Sequence, residues 1–251
     1  MVLIAGLLAA LFLLPRPALA ALIAVLVLLA GLEWARLCRL GSGSAWVLAV
    51  TLPTVFLMIV FLNIGLQQAI LATAALFWIV IAPVWMWRGL RPTQVTWIGA
   101  AGFAVLVPAG LAMLALRPLE VLLLLVLVWI ADIGAYFAGR AWGRRKLAPS
   151  ISPGKSWEGA VGGIIGALAY AIICGFFIEE IAWVPYLGAA ALLAMVSIVG
   201  DLFESAAKRQ AGVKDSGTIL PGHGGILDRI DSATATLPLA ALLWPMIKGS
   251  A

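Results

Sequence analysis

Long apolar runs recur along this chain, at about 1–14, 18–35, 45–63, 66–87, 97–115, 119–138, 159–179, 184–206 and 230–247, and they leave few folds open. A helix needs about 20 apolar residues to cross a hydrocarbon core of about 30 Å. In lipid, every backbone polar group must be satisfied inside the segment or its bundle. Hydrophobic residues make up 64% of the chain and charged residues 11%, where a soluble domain carries about 25% charged. A soluble fold of 251 residues has too little interior for that much apolar surface. The expected fold is therefore all-α: a polytopic integral membrane protein with about nine transmembrane helices, forming a single membrane domain over 1–251.

The first run is short, and Ala18-Leu19-Ala20 resembles a signal-peptide cleavage site. It lacks a basic n-region and the next run follows at once, which favours a retained span. Prolines at 53, 83, 108 and 238 fall inside runs and read as ordinary packing. Thirteen basic residues fall on one side of this reading (Arg36, Arg39, Arg88, Arg91, Arg140, Arg144, Arg145, Lys146, Lys155, Lys208, Arg209, Lys214 and Arg229), against Arg16, Arg117 and Lys248 on the other. That positive-inside asymmetry puts the two long polar loops, 139–158 and 207–229, in the cytoplasm. With no targeting segment in view, a multi-pass protein of a bacterial inner (cytoplasmic) membrane is expected.

The two halves differ in kind. Up to about residue 130 only Glu33 and Glu120 are acidic; from Asp132 onward come nine of the eleven acids. Residues 1–130 read as a hydrophobic scaffold half and 131–251 as the catalytic half. There is no internal repeat of the transporter kind. Cys38 and Cys174 read as inert buried thiols. A single histidine, with no Cys-x-x-Cys and no His-Glu-x-x-His, excludes the usual zinc sites.

Ionisable groups inside a span are costly and usually persist for function, which singles out Asp132, Asp201 and Glu204. Asp201, Glu204, Ser205 and Lys208 stand at i, i+3, i+4 and i+7, one face of a helix. Two carboxylates, a hydroxyl and an ammonium at a membrane surface suit Mg²⁺ with a phosphate ligand, with room for a second cation. An alternative is a helix end carrying only a Glu204–Lys208 pair. In the following loop, Gly222, Gly224 and Gly225 allow backbone N–H groups to approach phosphate, and Lys208, Arg209, Lys214 and Arg229 can neutralise it. Asp228 and Asp231 open the last run where a helix N-terminus favours negative charge. In the other loop, Lys155 suits phosphate, Ser156 a helix cap and Trp157 the membrane interface. Gly159, Gly163 and Gly166 suit close helix packing.

The run Ser205-x-x-Lys208-Arg209-x4-Lys214-Asp215-x-Gly217-x2-Leu220-Pro221-x-His223-Gly224-Gly225-Ile226-x-Asp228-Arg229-Ile230-Asp231 resembles the signature of phosphatidate cytidylyltransferases. Ala207 stands where that family usually has a larger aliphatic residue. Its "PKKTWEG" pattern is here Pro153-Gly154-Lys155-Ser156-Trp157-Glu158-Gly159, with Gly154 in place of one lysine. The resemblance implies transfer of CMP from CTP to phosphatidate, releasing pyrophosphate, with a divalent cation held by Asp201 and Asp228. Glu204 or Asp231 would orient or add a ligand. Lys208, Arg209, Lys214 and Arg229 would bind phosphates, with Lys155 and Ser205 as further substrate contacts. His223 and its glycines would line the nucleotide or pyrophosphate. Expected partners are CTP, phosphatidate and membrane lipids, with a homodimer admitted and no nucleic acid. The competing readings are a cation-coupled membrane transporter and a related transferase acting on another lipid phosphate.

Overall fold

The computed structural model describes residues 2–62, 64–179, 181–219 and 224–247. It is an all-helical bundle with one small hairpin. Helix α1 spans Val2–Leu13, α2 Arg16–Leu37, α3 Ser42–Val60 and α4 Ile64–Leu76; a π turn at Phe77–Ile81 leads into α5, Ala82–Arg88. Then come α6 at Val95–Ala115, α7 at Pro118–Trp142, strands β1 (Lys146–Ala148) and β2 (Ser152–Ser156), α8 at Trp157–Gly175, α9 at Trp183–Ala211 and α10 at Leu227–Ile247. Among the described residues, eight helical segments are long and apolar enough to cross a membrane, with Ile64–Arg88 counting as one. The first of the nine expected runs forms α1, whose 12 residues rise only about 18 Å. The chain is thus a membrane-embedded helical protein.

Local chemistry explains the details that shape the site. Pro83 has no N–H to give the preceding turn, and the ladder widens there, with Ala82 N–H reaching the carbonyl of Phe77. Phe77 and Trp78 of that π turn are buried and meet Phe203 of α9 edge-on, at centroid distances of 5.3 and 5.6 Å. Trp34 of α2 stacks on the same ring at 6.3 Å and donates from Nε1 to the Ile98 carbonyl at 2.8 Å. An aromatic core therefore lies one residue from Glu204 and fixes α2, α6 and α9 together.

The loop expected at 139–158 is largely ordered structure. Helix α7 runs on to Trp142, and β1 pairs antiparallel with β2. Ser156 caps α8 by accepting from Gly159 N–H at 3.1 Å. Glu158 accepts the backbone N–H groups of Arg144 and Arg145 at 3.1 and 3.2 Å, bracing the hairpin against α8. Gly159 and Gly163 permit the close α7–α8 approach, since a Cβ at Gly163 would stand 2.7 Å from the Ala131 carbonyl. Helix α9 likewise outlasts its apolar run and ends at Gly212, whose φ of 74° supplies the left-handed cap.

Gly200 performs the same service between α9 and α10. A Cβ there would stand 2.7 Å from the Asp231 carbonyl and 2.9 Å from the Ala235 Cβ. Gly200→Ala is expected to force these helices apart and lower stability by about 1–3 kcal/mol, read as an earlier thermal unfolding midpoint in detergent.

Candidate active site

Four elements deliver charged side chains to one end of the bundle. The expected stripe on α9 forms as a single face. Ser205 Oγ donates to Asp201 Oδ1 at 3.3 Å, and Lys208 Nζ lies 3.1 Å from Glu204 Oε1. That last contact is an ion pair, and among the described residues no hydrogen-bond donor is aligned on either buried Glu204 oxygen. The Lys208 ammonium is aimed at Asp228 Oδ1 on α10, 2.7 Å away. Lys155 of β2 reaches across to Asp201 Oδ2 at 2.6 Å. Two lysine–carboxylate centres result: Lys155 with Asp201, and Lys208 with Glu204 and Asp228. Asp231 is close enough to feel the charges of Asp201, Lys208 and Lys155.

A cavity of about 590 Å³ opens beside the first centre, lined among others by Asp132, Tyr136, Arg140, Ser152, Lys155 and Asp201. Asp132, whose membership the sequence leaves open, therefore faces the same space as Asp201, within electrostatic reach of it and of Lys155. Arg140 donates to Tyr136 Oη at 3.0 Å along the cavity wall. That wall carries two cations, Arg140 and Lys155, and two carboxylates, Asp132 and Asp201, among small and apolar residues.

The second centre is more enclosed. Lys208 is 12% exposed, against 4% for Glu204 and 10% for Asp228. Asp228 Oδ2 accepts from Ser216 N–H at 3.0 Å, Ser216 Oγ at 3.0 Å and Gly225 N–H at 2.9 Å. The glycines thus differ from expectation: Gly225 turns its N–H to Asp228, and a Cβ on it would collide with Ser216 and Glu33. Gly224 has φ of 81°, and a Cβ there would come within 3.0 Å of Asp228 Oδ2. Both serve here to bring the loop backbone onto buried carboxylates.

The other expected phosphate ligands are spread around this core. Arg209 Nε donates to the Ile151 carbonyl at 3.2 Å, tying the end of α9 to the hairpin. Lys214 and Arg229 are exposed. Gly222 and His223 lie outside the described residues. The residue that sequence reasoning missed is Glu33, fully buried at the end of α2 and hydrogen-bonded into the loop before α10. Its signal was present, an acid at the edge of an apolar run, but it lay in the half taken as scaffold.

The model of the Cytidylyltransferase family matches residues 1–247. The chain belongs to the cytidylyltransferase family. It is 41% identical over 247 residues to a protein of Pseudomonas aeruginosa named phosphatidate cytidylyltransferase, covering 93% of this chain and 90% of that one. A Haemophilus influenzae protein of the same name is 51% identical over 128 residues, 45% of this chain and 41% of its own. A Thermotoga maritima protein, again so named, is 40% identical over 134 residues, 51% of this chain and 50% of its own.

A divalent cation is tested by the donors on hand. Among the described residues, no group of three or more His, Cys, Asp or Glu side chains is arranged to hold a metal. Mg²⁺ requires less, being commonly bound by one or two carboxylates plus substrate phosphates. The Gly200 contact brings the Asp231 backbone against α9 beside Asp201, and these two carboxylates sense each other's charge. That pair of hard oxygen donors fits the cation.

Proposed function

We propose that this chain is a phosphatidate cytidylyltransferase, a Mg²⁺-dependent nucleotidyltransferase that converts CTP and phosphatidate to CDP-diacylglycerol and pyrophosphate. The observation carrying the reading is the pair of lysine–carboxylate centres at one end of an apolar bundle, one of them opening on a cavity of about 590 Å³. A water-soluble triphosphate and a lipid phosphate can meet only at such a boundary. The basic-residue asymmetry supports a cytoplasmic site in a bacterial inner membrane, where CTP is available.

A phosphatidate oxygen attacks the α-phosphorus of CTP in line. A new P–O bond forms, the bond from the α-phosphorus to the bridging oxygen breaks, and pyrophosphate leaves with the electron pair. The attacking phosphate is already an anion near neutral pH, so no strong general base is required. Catalysis consists of positioning and charge neutralisation. Lys155 and Lys208 exchange their carboxylate partners for phosphate oxygens as substrate enters. Arg209, Lys214 and Arg229 extend the basic rim, with Ser205 holding the Asp201 carboxylate and His223 assigned to the nucleotide side.

Asp201 and Asp231 would hold Mg²⁺, with phosphate oxygens completing its shell. Asp228 Oδ1 meets Lys208 and becomes available when a phosphate captures that ammonium. Glu204, buried behind Lys208, positions it from within. When bound, the cation supplies charge neutralisation at the phosphates.

The test is pyrophosphate release by the purified chain from CTP and Mg²⁺ across a panel of acceptors. Release with phosphatidate alone is expected. Equal release with other lipid phosphates would assign a broader transferase, and no release with any acceptor would return the transporter reading.

A further inference from the structure

Glu33 is an acid without exposure at the end of a membrane-spanning helix, and burying a carboxylate there is costly unless it is well partnered. Among the described residues, three groups stand at donor distance from it. Oε1 accepts from Ile226 N–H at 3.0 Å, and Oε2 from Leu227 N–H at 2.9 Å and Ser216 Oγ at 2.9 Å. Ile226 and Leu227 stand at the start of α10, where helix N–H groups have no intrahelical acceptor. A residue of α2 therefore caps α10 from 194 positions away in sequence. Gly217 and Gly225 are both packed onto this carboxylate, each lacking room for a Cβ beside it.

Ser216 connects this cap to the reaction centre. Its Oγ lies 2.9 Å from Glu33 Oε2 and 3.0 Å from Asp228 Oδ2. A hydroxyl carries one proton, so it donates to one carboxylate at a time. Asp228 in turn holds Lys208 at 2.7 Å. Two further contacts secure α2 against α9: Gln210 Nε2 to the Leu37 carbonyl at 2.6 Å, and an Arg39 guanidinium N–H to the Gln210 carbonyl at 3.3 Å.

We propose that Glu33 is a positioning residue for the reaction, setting Asp228, and through it the Lys208 ammonium, by way of the shared Ser216 hydroxyl. The inference rests on the cytidylyltransferase reading of the site. A helix cap alone would not need a charge, since a serine or asparagine serves as well. The carboxylate supplies acceptors for a loop and a helix together, and it competes with Asp228 for one proton.

The test compares Glu33→Gln, Ser216→Ala and the double variant with the wild-type chain. It follows kcat and KM, unfolding temperature in detergent, and hydrogen exchange of peptides containing Ser216 and Ile226–Leu227. Glu33→Gln keeps the shape but turns an amide donor toward backbone N–H groups. Its kcat is expected to fall on the order of 10–100-fold, with a smaller change in KM for CTP and faster exchange confined to those peptides. The double variant should lie within about twofold of Glu33→Gln, since both changes break one chain of contacts. Multiplying losses, or a Glu33→Gln kcat within about twofold of wild type, would overturn the proposal. If Glu33→Gln does not fold, Ser216→Ala decides, because it leaves both backbone caps of Glu33 in place; an unchanged kcat there overturns the relay. If the wild-type chain shows no phosphatidate-dependent turnover, the functional reading fails by itself. Hydrogen exchange then decides the positioning: loss of protection confined to those peptides upholds it, and unchanged exchange overturns it.

Discussion

Asp201→Ala is expected to lower turnover on the order of 10²–10³-fold or more while leaving the bundle folded. Asp201 is where the elements of the site meet. It pairs with Lys155 from the hairpin, accepts from Ser205 one turn along α9, faces the cavity shared with Asp132, and is near Asp231 of α10. Its loss removes a proposed cation ligand and releases Lys155 from its set position. The fold should tolerate the change, because the side chain is 31% exposed and Lys155 26% exposed, so water can solvate the ammonium left behind. The measurement is steady-state turnover against Mg²⁺ concentration, with the unfolding midpoint as control. Retained wild-type, Mg²⁺-dependent activity would remove Asp201 from the proposed cation site.

Lys208→Met should damage both stability and activity. The ammonium stands between Glu204 and Asp228, all three nearly excluded from solvent. Removing one partner of a buried ion pair leaves uncompensated charge and costs about 3–5 kcal/mol. Here one cation serves two carboxylates, and among the described residues no hydrogen-bond donor is aligned on one of them, Glu204. The unfolding midpoint should fall clearly, and turnover in the fraction that remains folded should fall with it, since Lys208 is assigned to phosphate. A double variant, Lys208→Met with Glu204→Gln, is expected to recover part of the stability and none of the turnover. Recovery of turnover as well would show that Lys208 acts only as a structural counter-ion.

The membrane-embedded fold was legible because its cause is local: each apolar run long enough to cross a bilayer forms a helix or a pair of continuous helices. The α9 stripe was legible for the same reason, since i, i+3, i+4 and i+7 spacing fixes one face whatever the tertiary setting. Hydropathy misjudged where elements stop. It ended the eighth run near residue 206, whereas Lys208, Arg209 and Gln210 are good helix formers and α9 continues to Ala211, as far as the Gly212 cap. The hairpin was hidden because strands of 3 and 5 residues carry almost no periodic signal.

Long-range pairing was the least legible layer. The Lys155–Asp201 pair joins strand β2 of the hairpin to a distant helix. The glycine-rich loop read as a cradle for phosphate, yet the N–H of Gly225 is turned to Asp228 and those of Ile226 and Leu227 to Glu33. Glu33 itself crosses the division into a scaffold half and a working half. No spacing rule links residues 183 positions apart, as Glu33 and Ser216 are; only the packing of α2 against α9 brings them together.

The proposed reaction moves a cytidylyl group onto a lipid phosphate at a membrane-embedded site. Its most direct test uses CTP labelled at the α-phosphate and, separately, at the γ-phosphate, with the purified chain, Mg²⁺ and phosphatidate vesicles. The expected result is that α-label enters the lipid fraction one for one with pyrophosphate released, that γ-label stays in pyrophosphate, and that neither product forms without phosphatidate. Transfer of γ-label to lipid, or cleavage of CTP in the absence of phosphatidate, would contradict it.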